Sequence, residues 1–286
     1  MSWHGALLLW CAACAALALI GYGRSLAGTT RAQRAVRVPG RIAEVGTPPH
    51  GGDGRAGIPV TIAFPDPATG QEHVLPYVAG DRGIRLDTVW VGREPAVLHP
   101  PGDPGRFRIA YDLGDNRRGL AWPHFLVFLL YAGLVADTTI RYGYPWVLLG
   151  AGVPLAVVIV FFLRDDLRRA CRDAARLDAA VAVPGRVVAV LTTDHDDGGS
   201  AWTSYAAVLT FTTRDNTVVT ARFRIEPEER ATAYGREVTV HYAPDAPEKY
   251  TLDVAVARRS NTWDIAFVLT CLLLGAAATV TGAVLL

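Results

Sequence analysis

The sequence predicts a membrane α+β protein, with four transmembrane helices and two homologous small antiparallel β domains, each barrel-like or a curled sheet. Residues 5–23, 119–136, 142–163 and 265–286 contain no Asp, Glu, Lys or Arg. Each stretch approaches the roughly 20 residues a helix needs to cross a ~30 Å hydrocarbon core. Two stretches also return about 145 residues later, VRVPGRIAEV (Val36–Val45) as VAVPGRVVAV (Val181–Val190), and GREPAVLHPPGDPGRFRI (Gly92–Ile109) as GREVTVHYAPDAPEKYTL (Gly235–Leu252). A period this long means a duplicated domain, because solenoid repeats run to a few tens of residues. Between the apolar stretches, side chains alternate with a period of two, as half-buried strands require.

The first span, residues 5–23, competes with a cleaved signal peptide. Met1–Gly5 carries no Lys or Arg, as a signal n-region would, although Ala16–Ala18 is a weak small-x-small cleavage site. β domain one, residues 35–112, places Ile58, Val60, Ile62 and Phe64 in one inward row and Phe107, Ile109 and Tyr111 in another. Pro59 and Pro65 suggest that the first row lies near a sheet edge or a bulge. The second span, residues 119–136, has Pro123 in its first turn, where a missing N–H costs little. The third, residues 142–163, continues into residues 164–180, which are rich in helix formers and lack Gly and Pro.

β domain two, residues 181–255, alternates throughout. Ala207, Leu209 and Phe211 alternate with Val208, Thr210 and Thr212, and Val219, Ala221, Phe223 and Ile225 with Thr220, Arg222 and Arg224. Val238, Val240 and Tyr242 form a further row, and Tyr250, Leu252 and Val254 another, with Arg214–Asp215–Asn216 as a hairpin turn. On this reading Thr220, Arg222 and Arg224 face outward, and Thr217–Arg224 is available to a partner's strand if it lies at an edge. A domain of this size gains only ~3–5 kcal/mol from its own core, so docking onto its twin or the helices is expected. The fourth span is residues 265–286.

Trp3, Trp122, Trp146 and Trp263 fall near the N-terminal ends of the four spans, where an indole favours the headgroup layer. Arginines cluster at the domain-facing ends, including Arg24, Arg31, Arg34, Arg37 and Arg41 after the first span and Arg164, Arg168, Arg169, Arg172 and Arg176 after the third. The other side offers Arg141 alone. The positive-inside rule therefore puts both β domains in the cytoplasm of a bacterial cytoplasmic (inner) membrane, with both termini and the Asp137–Arg141 turn outside. Of the four cysteines only Cys171 lies in a soluble stretch, so no disulfide staples either domain within one chain. One lysine stands against 27 arginines, which suggests a GC-rich genome.

Several features of domain two together resemble a known family. They are Gly185–Arg186–Val187–Val188, Tyr205, Phe211–Thr212, Asp215, Gly235, the Val238–Val240–Tyr242 strand and the Pro244…Pro247 turn. The pattern is similar to family 3592 of the domains of unknown function, common in actinobacterial membrane proteins. The resemblance extends to domain one, and so to two tandem copies, although Pro95 and His99 stand there where Val238 and Tyr242 do. It implies a strand-and-turn fold and brings no catalytic residues with it.

The most site-like stretch is Thr193–Asp194–His195–Asp196–Asp197–Gly198–Gly199, whose carboxylates and imidazole suit a cation. A solvated hairpin loop explains it as well, and it lacks the twelve-residue EF-hand spacing. Its counterpart, Thr47–Gly54, keeps His50 and Asp53. His241 is expected to be solvated, His99 packed like Tyr242, and His124 interfacial. No Gly-x-Ser-x-Gly elbow, His-Glu-x-x-His pair or Gly-x-x-x-x-Gly-Lys loop occurs, and there are only five serines. Gly150, Gly152 and Pro154 in the third span suggest helix packing before a transporter-like break, and Gly275, Ala278 and Gly282 suggest a packing stripe. The expectation is a non-enzymatic membrane scaffold with no catalytic, cofactor-binding or metal residues. Its partners are the lipid bilayer and an unknown protein, not nucleic acid, and oligomers remain open. The alternatives are a small-solute or ion permease, and an enzyme with a site between the repeats.

Overall fold

A computed structural model describes residues 3–79, 84–110, 118–196 and 201–286. The expected site and core positions Tyr111, Asp197, Gly198 and Gly199 lie outside them. The chain divides into a helical unit (residues 1–34, 116–175 and 255–286) and a β unit (residues 35–115 and 176–254).

Four helices of the helical unit are long and apolar enough to cross a bilayer: α1 (Trp3–Leu26), α3 (Ala121–Tyr142), α4 (Pro145–Asp178) and α6 (Val254–Val284). A one-turn helix α2 (Arg31–Arg34) follows α1. Small residues set the helix contacts. A Cβ at Gly133 of α3 would stand 2.8 Å from Cys11 Sγ of α1, and one at Gly152 of α4 would stand 2.9 Å from the Gly275 carbonyl of α6. The α4 helix runs unbroken through Pro154 and on to Asp178, so the Gly150–Pro154 region packs and does not unwind. Asp137 joins helix ends as well, accepting from Arg141 Nε at 2.8 Å and lying 3.0 Å from His4 Nδ1.

In the β unit the first segment gives β1 (Val36–Pro39), β2 (Arg41–Val45), β3 (Val60–Pro65), β4 (Glu72–Tyr77), β5 (Thr88–Trp90), β6 (Ala96–His99) and β7 (Arg108–Ala110). The second gives β8 (Val181–Asp196), β9 (Ala201–Thr212), β10 (Val218–Ile225), β11 (Glu237–Ala243) and β12 (Ala246–Thr251), with the short helix α5 (Arg230–Ala233) before β11. Both segments are antiparallel and order their strands alike. Strands β1-β6-β7 and β2-β3-β4 flank a break at Gly40, whereas β12-β11-β8-β9-β10 uses one long β8 with a bulge between Val187 and Ala189. The second sheet curls towards a barrel, and Tyr250 of β12 donates its hydroxyl to the Arg222 carbonyl of β10 at 2.6 Å.

The segments are joined into one body. β5, from the first segment, pairs with β10 of the second through Val219↔Trp90, Thr220↔Val89 and Ala221↔Thr88. The chain after β5 then bonds to β2, with Ile42 N–H donating to the Arg93 carbonyl at 2.8 Å. One core holds Ile42, Ile58, Ile62, Phe64 and Val97 with Ala189, Leu191 and Val208 of the second segment. The opposite face of β8–β10 packs Leu209, Phe211, Val219, Val240 and Tyr242.

This junction corrects the strand reading at several places. β10 is not an open edge at Val219–Ala221, and Thr220 is buried because β5 covers it. Arg222 is also largely buried, so only Arg224 of the expected outward trio is exposed. Val208 is buried on the face opposite Leu209, because the first segment's core packs there. β3 is a central strand, and its prolines cost little because Pro59 precedes it and Pro65 is its last residue. Val254 begins α6 and does not extend the Tyr250 row.

Phe211→Asp would bury an unpaired carboxylate in a closed core, so a loss of more than ~4 kcal/mol is expected, enough to unfold the β unit. Thr212→Asp, on an exposed position of the same strand, should change stability by less than ~0.5 kcal/mol. Thermal unfolding of the detergent-solubilised chain distinguishes the two.

Candidate functional site

The segment after β2 runs beside the free edge of β8 and acts as an irregular extra strand. Gly51 N–H donates to the Val190 carbonyl at 2.8 Å, Thr192 N–H to the Gly52 carbonyl at 3.0 Å, and Gly54 N–H to the Thr192 carbonyl at 2.9 Å. Gly51 has φ +77°, which only glycine adopts without strain, and a Cβ at Gly54 would fall on Thr193 Oγ1. His50 Nδ1 accepts from Val190 N–H at 3.2 Å, and its ring lies tilted against Tyr234 with the centroids 4.2 Å apart. Arg55 Nη2 donates to the Asp194 carbonyl at 2.8 Å, and Arg222 Nη1 to the Gly54 carbonyl at 2.8 Å. The described start of the second stretch, Thr193 and Asp194, thus lies beside Gly54 and Arg55 at this seam.

Thr193–Asp196 is the end of β8, where a loop was expected; its partners are Ser204, Thr203, Trp202 and Ala201 of β9. Alternation along the strand therefore turns Asp194 and His195 to opposite faces. Asp194 Oδ1 accepts from Thr203 Oγ1 at 2.8 Å, while His195 stacks on Trp202 at 3.9 Å with its Nε2 2.9 Å from Ser204 Oγ. Among the described residues no group of three or more His, Cys, Asp or Glu side chains comes together as a metal site.

The other histidines are dispersed. His99 is buried beside Phe64, with Nδ1 at 2.9 Å from the Pro100 carbonyl and Nε2 without a hydrogen-bond partner among the described residues. His124 lies near Tyr22 between helices, and His241 is half-buried opposite Thr251. A polar group that sequence reasoning missed surrounds His99 and Phe64. His73 Nε2 stands 4.0 Å from Asp66 Oδ2, and the Ala68 N–H and Thr69 hydroxyl hold the Asp66 carboxyl below the usual carboxylate range. His73 and Asp66 sit at facing ends of a hairpin, so only the β3–β4 register could reveal them. The burial of Arg222 was equally hidden, since a strand arginine two residues from another reads as a solvated face.

The residues of the recurrent motif serve the fold. A Cβ at Gly185 would stand 2.8 Å from Val240 Cγ2, so glycine lets β11 and β8 approach. The Tyr242 hydroxyl accepts from Arg214 N–H at 2.8 Å and pins the hairpin, whose Asn216 takes φ +59°. Tyr250 sits behind Phe211 at 6.1 Å. Fold and site together define an α+β chain in which four apolar helices of membrane length accompany an antiparallel β body. Residues 183–256 match the family model described as Domain of unknown function (DUF3592). No curated protein and no solved structure matches the chain.

Two outcomes test this geometry. Burial pushes the Tyr250 phenol well above its ordinary value, so above pH ~10 the unfolded chain loses a proton that the folded chain keeps. Stability should therefore fall with rising pH in that window, with Tyr250 contributing up to ~1.4 kcal/mol per pH unit. Tyr250→Phe should flatten the alkaline limb of a denaturation series. Gly54→Ala should destabilise the β unit by ~1–3 kcal/mol through overpacking, read as a shifted unfolding midpoint.

Proposed function

We propose that this chain is a multi-pass bacterial inner-membrane protein whose β segments, two tandem copies of one domain, form a single cytoplasmic body that binds or scaffolds a partner without enzymatic activity. The observation that carries this reading is the exchange of strands across the repeat, β5 on β10 and residues 51–54 on β8. The second copy is used to complete one sheet system and enlarge its surface. The common strand order supports descent from one duplicated unit. Because both segments enter one body, both belong on the same side of the membrane.

Insertion is supported by the outer faces of the helices. Leu9, Leu19, Phe161, Phe267 and Leu273 are exposed, as lipid contact requires, and Trp3 and Trp122 are exposed at helix starts and Trp263 at the start of the apolar part of α6, as headgroup anchors would be. The arginines flanking the β segments favour the cytoplasmic side.

Cys171 is exposed on α4 near the β unit in sequence. In a Cys271→Ser background it should resist a membrane-impermeant maleimide in intact cells and react after permeabilisation. Equal labelling in both states would reverse the orientation. For the binding role, the gently solubilised chain should carry a stoichiometric partner that Gly54→Val releases while the four helices still insert. A partner retained by that variant would remove the β body from the role.

A further inference from the structure

Strands β8, β9 and β10 share a cleft of about 340 Å³, within the size range of small-ligand sites. The register places Arg222 and Arg224 of β10, Ser204 of β9 and Thr193 of β8 on one face, and Arg85 and Asp87 close one side. Three guanidiniums and one carboxylate therefore line it, and the charge is not balanced within the lining. Asp87 serves two of the arginines at long range, 3.5 Å from Arg85 Nε and 3.8 Å from Arg222 Nη1. Its side chain is 60% exposed, which makes both pairs weak. The Arg222 side chain is only 11% exposed, a costly position for a guanidinium without a close counter-charge. Burial and the neighbouring Arg85 both press its pKa down. Asp53 also lies within electrostatic reach of Arg222, but on the seam and outside the lining. Arg224 has no carboxylate within ion-pair distance among the described residues.

We propose that this cleft binds a phosphate monoester or inorganic phosphate, held by Arg85, Arg222 and Arg224 with the Ser204 hydroxyl. Guanidinium forks match phosphate oxygens in bidentate geometry. A phosphate monoester carries about −1.5 to −2 at pH 7, which offsets the lining's excess, whereas one carboxylate leaves half of it. The stacked His195–Trp202 pair forms an aromatic wall and places a fluorophore in the cleft. The assignment rests on the β body being a binding module and names its ligand chemistry.

The test uses the full chain in neutral detergent, titrated with inorganic phosphate at low salt and read by calorimetry and tryptophan fluorescence. Saturable binding of one equivalent is expected, weakened roughly tenfold or more in Arg85→Gln and in Arg224→Gln. Arg214→Gln, on the exposed hairpin turn outside the cleft, should bind as the parent does. Arg224 is the cleaner of the two rim positions, because Arg222 at 2.8 Å and Arg85 at 3.5 Å both donate to the Gly54 carbonyl and their loss would loosen the seam. An unchanged unfolding midpoint separates lost binding from lost folding. Glycerol 3-phosphate and phosphatidate-containing micelles then separate the sources, since competition by the first marks a soluble phosphate ester and competition by the second alone marks a lipid headgroup. No saturable binding of any of the three, or equal binding by the rim variants and the parent, would overturn the proposal. Cys171 labelling is independent of all these outcomes, so the membrane reading stands or falls separately.

Discussion

The β unit depends on satisfying backbone hydrogen bonds at strand edges. A buried N–H or C=O without a partner forfeits roughly 1–3 kcal/mol. Each β segment is too small to close on itself and leaves at least one long edge. The chain meets the requirement by exchange. β5 leaves the first segment and covers β10, while residues 51–54 cover the outer half of β8. From this pairing follow the mixed core of Ile42, Ile62 and Phe64 with Leu191 and Val208, the burial of Thr220 and Arg222, and the need for glycine at position 54.

The two halves of the β unit solve the same topology with different irregularities. In the second, β8 passes from β11 to β9 through one bulge and stays continuous. In the first, the equivalent strand breaks at Gly40, where a Cβ would stand 2.6 Å from Val97 Cγ2. The break lets Gly40 N–H reach the Pro95 carbonyl at 2.8 Å and turns β1 towards β6. His99 then takes the place that Tyr242 has in the other half, and its Nε2 has no hydrogen-bond partner among the described residues.

The helical unit follows a different rule. With the helices set in hydrocarbon, as proposed above, there is no hydrophobic drive for them to associate, and close packing through small residues carries the contact. Gly133 against Cys11, and Gly152 against Gly275, are such places. Polar contacts add to them near the helix ends, where Ser25 Oγ donates to the Arg118 carbonyl at 3.0 Å and Asn261 Nδ2 to the Ala170 carbonyl at 3.1 Å. The charged tail of α4 continues the third apolar stretch without a break, as its helix-forming composition dictates.

What could be read from the sequence is what depends on neighbours along the chain. Apolar length located the four helices, and period-two alternation located the Leu209–Phe211 and Val238–Tyr242 rows that form the second core. The matching VPGR stretches also located the equivalent strands β1–β2 and β8. Alternation states which side chains share a face, but not what covers that face. Whether Thr220 and Arg222 meet water or another strand was therefore decided by β5, more than a hundred residues away in the chain. The same holds for Thr193–Asp196, whose composition reads as a loop until β9 supplies its backbone partners, while residues 51–54 bond to Val190 and Thr192 just before it. Local composition sets what each stretch can become. Long-range strand pairing decides which polar groups are enclosed, because it depends on edges that only the folded chain brings together.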